Sequence, residues 1–107
     1  MKPKPLTKEN LAAVLRAAIV ATGYEADESD TKHMFASIKI GEDAENHTGS
    51  RGVLGYFATE GTVISSMYYD APSMYWKFEE AVNKGLAAIA PGLFAEPINS
   101  VEFGIYN

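Results

Sequence analysis

The chain has 107 residues, 47% of them hydrophobic, no cysteine and a formal charge of −5 at pH 7. That length holds one small domain, and the hydrophobic fraction is sufficient for a core without metal or disulfide staples. The lack of cysteine excludes a disulfide framework, a thiol nucleophile, a thiolate zinc site and a cysteine-ligated iron–sulfur cluster.

The charge is unevenly spread. Residues 1–24 hold Lys2, Lys4, Lys8 and Arg16 against Glu9, whereas residues 25–45 hold seven acids against Lys32 and Lys39. A net negative domain is repelled by phosphate backbones, so direct nucleic-acid binding is not expected. An acidic balance instead favours solubility and steers a basic partner. Lysines precede the apolar stretch Leu11–Ala21, but Arg16 interrupts it and no small-x-small cleavage site follows. No run reaches the roughly 18 apolar residues that cross a bilayer. The expectation is a cytoplasmic protein without membrane contact.

In chain order, alternating Lys and Pro make residues 1–6 an extended arm. A first helix is predicted over 8–22, with Thr7 as N-cap, Leu11, Val14, Leu15, Ala18, Ile19 and Thr22 at helical spacing, and Gly23 as the stop. Its back face is Ala12, Ala13, Ala17, Val20 and Ala21, with Arg16 as the one charge; such a face suits either a plain alanine surface or a second packing partner. Residues 24–31 read as an acidic loop. Residues 32–40 alternate and predict a strand, and 41–52 read as a flexible polar loop. Residues 53–59 and 62–69 predict a hairpin about Glu60-Gly61, in which Tyr68 and Tyr69 point to opposite sheet faces. Asp70-Ala71-Pro72-Ser73 opens a second helix over 73–89, and Pro91-Gly92 ends it. A last strand is predicted over 98–106.

The resulting order, α-β-β-β-α-β, describes a single α+β domain over 1–107. It has an antiparallel sheet with two helices packed on one face. The α-β-β-β-α part resembles a double-stranded RNA-binding domain in element order alone. The second helix begins Ser-Met-Tyr-Trp-Lys-Phe-Glu-Glu, without the basic cluster of such domains, so no family is assigned.

No catalytic constellation stands out, and the reading leans away from an enzyme. His33 begins the predicted strand. His47 lies in the polar loop beside Glu42, Asp43 and Glu45, without the rigidity that a metal site needs. Neither Asp27–Asp30 nor Asp43–Asn46 has the glycine and distal glutamate of a calcium loop, and Gly49–Gly52 lacks phosphate-loop spacing. Glu79 and Glu80 point about 100° apart on a helix and do not converge. No cofactor and no metal are expected.

The concentrated signal is aromatic. Met67–Phe78 packs five aromatics and two methionines into twelve residues. Such side chains are enriched in interface cores. Tyr75 and Phe78 fall on the helix's buried stripe. Trp76 falls nearly opposite it, and either covers another part of the chain or contacts a partner. The preferred reading is a non-enzymatic, acidic protein-binding module, an adaptor or inhibitor or a homodimer. Its site would be Trp76, Tyr68, Tyr69, Asp70 and Glu80. Compact acidic domains of this kind occur among phage and mobile-element inhibitors of host enzymes, an analogy of class only. The alternatives are a small-ligand binder or enzyme with a pocket between sheet and helices, lined by Tyr, Ser and His33, and an acidic nucleic-acid mimic.

Overall fold

Thr7 opens the first helix. Its Oγ1 accepts from the Asn10 N–H at 3.1 Å, and Asn10 Oδ1 accepts from the Thr7 N–H at 2.7 Å. This reciprocal cap satisfies donors that a helix start leaves orphaned. The helix, α1, spans Lys8–Thr22 and stops at Gly23, where φ is +82°. These are the bounds that the sequence predicts. The computed structural model describes residues 6–107. The expected arm over 1–6 therefore lies, but for Leu6, outside the described residues.

The next segments depart from expectation. Glu28–Ala36 is a helix, α2, where a loop and then a strand over 32–40 were predicted; only Lys39–Ile40, β1, is extended. Met34, Ile38 and Ile40 do alternate, but Thr31, Met34, Phe35 and Ile38 fit the helical period equally well. The cap decides: Asp27 Oδ1 accepts from the Asp30 N–H at 3.1 Å, and Asp30 Oδ2 accepts from the Asp27 N–H at 3.0 Å. Glu42–Thr48 is a helix, α3, inside the stretch 41–52 expected to be a flexible loop. Only Ala44 of this helix is buried, so it needs no large apolar side chain. Its first turn carries Glu42, Asp43 and Glu45, where the helix dipole favours negative charge.

Gly55–Ala58 forms β2, and Val63–Asp70 forms a helix, α4, in place of the second arm of the predicted hairpin. Gly61 turns the chain at φ +76°. Thr62 then donates from both its N–H and its Oγ1 to the Thr59 carbonyl, at 3.1 and 2.6 Å, and the chain enters α4 with Ile64 and Met67 buried. The long helix α5 spans Pro72–Ile89, within one residue of its predicted start. The strand predicted over 98–106 is instead a hairpin of β3, Phe94–Asn99, and β4, Glu102–Tyr106. Its turn is held by Asn99 Oδ1, which accepts from the Val101 N–H at 3.0 Å.

The fold is a single α+β domain with a four-stranded antiparallel sheet and helices packed against it. The sheet order is β1-β2-β4-β3. The element order is not the predicted α-β-β-β-α-β, and with it goes the topological likeness to an RNA-binding domain. The main core joins α1, α2, α4 and α5 to one sheet face. At its centre Phe57 stacks on Phe103, with ring centroids 4.9 Å apart, and presents an edge to Phe78. On the other face Ala44, Val53 and Tyr56 form a smaller cluster under α3.

Bare pairing positions on β2 and β3 are blunted. Beyond β1, Ser37 Oγ takes the Ala58 N–H at 2.8 Å, so a side chain continues the pairing where the strand has ended. On β3 the Ala95 N–H donates to Asn83 Oδ1 of α5 at 2.7 Å, and Pro97, two residues on along the same edge, has no N–H to offer. Asn83→Ala should accelerate hydrogen exchange at the Ala95 amide and destabilise the fold by about 1 kcal/mol.

α1 and α5 pack closely at Gly85, where a Cβ would meet Val14 Cγ1 at 2.9 Å. Alanine is about 1 kcal/mol the better helix former, but a clash with a stiff β-branched side chain costs about 1–3 kcal/mol. Gly85→Ala should therefore lower stability in urea unfolding. In the Val14→Ala background the same change should raise it.

Candidate functional site

Pro72 makes the corner that carries the aromatic segment. The residue before a proline is pushed out of helical geometry, and Ala71, at φ −147° and ψ 65°, is neither in α4 nor in α5. The Ala71 N–H still donates to Met67, and its carbonyl accepts from Met74 and Tyr75, so the two helices meet with no loop between them. The end of α4 is thereby set against the start of α5. Tyr68 lies edge-on to Tyr69 at 5.0 Å and edge-on to Tyr75 at 5.2 Å.

Tyr75 anchors this chain of rings. It is 3% exposed. Burial, then the Glu79 carboxylate beside it, pushes its phenol above the usual range, so it stays neutral across physiological pH. Tyr68 and Tyr69 are 44% and 72% exposed, both on α4 and not on opposite faces of a strand. Trp76 is 67% exposed on the first turns of α5, and covers no other described part of the chain closely enough to be buried. Asp70 and Glu80 are exposed as well, and Glu80, four residues after Trp76, shares its helix face. The structure thus joins Tyr69 to Tyr75 through Tyr68. It places Trp76, Asp70 and Glu80 on the same two helices, outside that chain of rings.

A second constellation was not anticipated from the sequence. On the α3 side of the sheet, the Tyr56 hydroxyl donates to Glu102 Oε2 in a short hydrogen bond, and Asn99 Nδ2 donates to Glu102 Oε1 at 2.7 Å. His47 Nε2 is 4.0 Å from Glu102 Oε2, and its ring lies 4.4 Å from that of Tyr56. These hydrogen bonds, Tyr56 first and then Asn99, hold the Glu102 carboxyl below its ordinary 4.5. Burial, then the hydrogen bond to Glu102, pushes the Tyr56 phenol up. Glu102 lies 55 positions from His47, so no local motif could announce the pair.

Other chemistry finds little room. His33 is exposed in the last turn of α2. The space between sheet and helices, lined by Phe57, Phe78, Val82 and Phe103, is about 40 Å³, enough for a water or two and not a metabolite. Among the described residues no three His, Asp or Glu side chains are arranged to hold a metal ion, and no helix is long and apolar enough to cross a membrane. Comparison with known proteins found no match: no family model fits the chain, and no curated protein or solved structure is significantly similar to it.

Glu102 gives a test of the α3 face. A carboxyl whose folded pKa is depressed adds stability above its unfolded pKa and loses it as pH falls through the folded value. Thermal stability of the wild type should therefore decline as pH drops below about 4.5. In Glu102→Gln and in Tyr56→Phe that decline should be shallower, as read from melts at fixed ionic strength.

Proposed function

We propose that the protein is a small acidic binding module, an adaptor or inhibitor, that engages a partner protein through the α4–α5 corner. The observation that carries this reading is the exposure of Tyr68 and Tyr69, whose rings are linked through Tyr68 to a buried Tyr75, with Trp76 exposed beside them on the first turns of α5. Exposed aromatics that are already held in place lose little side-chain freedom on binding, which is the main cost that an interface must overcome. Tyrosine and tryptophan are also the side chains that most often dominate interface energies.

Asp70 and Glu80 flank the rings and have no ion-pair partner among the described residues. The partner surface they suit carries an apolar patch with a lysine or arginine, which would pair with a carboxylate and lie over an aromatic face. A second copy of this chain suits the corner less well, because it would bring like charges together.

The test is affinity capture from the native host with wild type, Trp76→Ala and Tyr69→Ala in parallel, each first shown to be folded by circular dichroism. A stoichiometric partner held by the wild type should bind roughly tenfold or more weakly to Trp76→Ala. Its affinity should depend only weakly on salt, because an aromatic centre and not a charge array holds it. Equal capture by all three proteins would sink this site. A steep salt dependence would favour the acidic nucleic-acid mimic, and self-association lost in Trp76→Ala would favour the homodimer.

A further inference from the structure

A groove of about 440 Å³ runs between α1 and α2. This lies within the roughly 300–1,000 Å³ of sites that hold small molecules. From its apolar floor and its two unpaired cations we infer that it binds a small amphipathic monocarboxylate, with the carboxylate on Arg16 and Lys32 and the apolar body along Ile19, Val20 and Phe35. This site is separate from the α4–α5 corner and does not depend on it.

The floor comes from helical spacing. Ile19 of α1 and Thr31 of α2 are buried, Ala26 and Phe35 are half-buried, and Val20 stands on the wall at 77% exposure. The Arg16 guanidinium carbon lies 5.2 Å from the centre of the Phe35 ring, so the cation is held over the aromatic face. That contact leaves the edge of the guanidinium fork free for an anion. Neither Arg16 nor Lys32 has a carboxylate partner among the described residues.

Four charged side chains line the groove. Arg16 of α1 lies beside Phe35, near the end of α2. Asp27 and Glu28 sit at the connection between the helices, and Lys32 lies one turn further along α2. Asp27 does not compete for the cations, because its Oδ1 already accepts from Ser29 Oγ at 2.6 Å and from the Asp30 N–H. Glu28 at the connection repels a second carboxylate, and Arg16 beside Phe35 repels an amine head group. The chemistry that suits the two cations and the apolar lining is one anionic head followed by an uncharged apolar body.

The experiment is a titration of the isotope-labelled full chain by amide NMR with 3-phenylpropionate, and in parallel with 3-phenylpropylamine, its cationic counterpart. The carboxylate should produce saturable shifts confined to residues 16–35, and the amine none. Arg16→Gln and Lys32→Gln should each weaken binding roughly tenfold, the worth of one charge-assisted hydrogen bond. Arg16→Lys should restore most of the loss. The same spectra report whether each variant is folded. The inference is overturned if the carboxylate gives no saturable shift, if the amine binds as well, or if both glutamine variants keep wild-type affinity. In any of those cases a larger occupant, such as a partner's helix, becomes the reading to test.

Discussion

The pairing of Phe57 with Phe103 organises this molecule. The two residues are directly opposite in the β2–β4 register, and their rings stack almost parallel, 8° apart, between the sheet and α5. Each is fully or almost fully buried, and burial of such a side chain is worth about 1.5–3 kcal/mol. The pair joins residues 46 positions apart, so it closes the loop that contains α4, α5 and β3. It also fixes what the other sheet face displays. Side chains alternate along a strand, so the register that sends Phe57 and Phe103 into the main core sends Tyr56 and Glu102 to the α3 side. The Tyr56–Glu102–His47 arrangement is thus a geometric consequence of the core, and a slip of one residue in that register would dismantle both together.

How much of this was legible in the sequence differs by element, for physical reasons. α1 and α5 were readable because each is long enough for the helical period to repeat several times, and each has strong punctuation: Thr7 and Gly23 for one, Pro72 for the other. α4 was not. Thr62-Val63-Ile64 opens it with β-branched residues and Tyr68-Tyr69 closes it with aromatics, all favoured in strands. Eight residues are too few for periodicity to overrule that composition. α2 was misread because its apolar residues fit both periods, and the deciding Asp27–Asp30 cap was read as part of an acidic loop. The aromatic site was legible as composition but not as geometry: the chain of rings depends on α4 being a helix, which the sequence reading had as a strand.

The two proposed surfaces differ in how they are built, and each follows from a local constraint. At the α4–α5 corner the constraint is Pro72. Without it α4 and α5 could merge into one helix, and Tyr68 and Tyr75, seven residues apart, would then sit nearly two turns apart along a single axis. In the α1–α2 groove the constraint is the short connection from Gly23 to Asp27. It brings α2 beside α1 and sets Phe35 against Arg16. A protein of net charge −5 thus holds two cations on this groove with no carboxylate partner among the described residues, and carries its exposed rings beside Asp70 and Glu80 elsewhere.

The β3 edge is built against strand addition. A free edge strand offers alternating donors and acceptors and can recruit a strand from almost any partner. Here β3 is an edge, with Phe94 and Ile98 exposed on it at 42% and 47%. By exposure alone it would rank beside the aromatic corner. Its backbone, however, withholds the donors that strand addition requires: Ala95 has given its N–H to Asn83, and Pro97 has none. The register irregularity between Pro97 and Asn99 further breaks the regular spacing of what remains. Strand addition would have to begin by breaking the Asn83 bond and would still meet a gap at Pro97. Under the proposed binding reading, side-chain surfaces on helices are then favoured over strand addition at β3, and at the α4–α5 corner the exposed Tyr68 and Tyr69 are already held by ring contacts that reach the buried Tyr75.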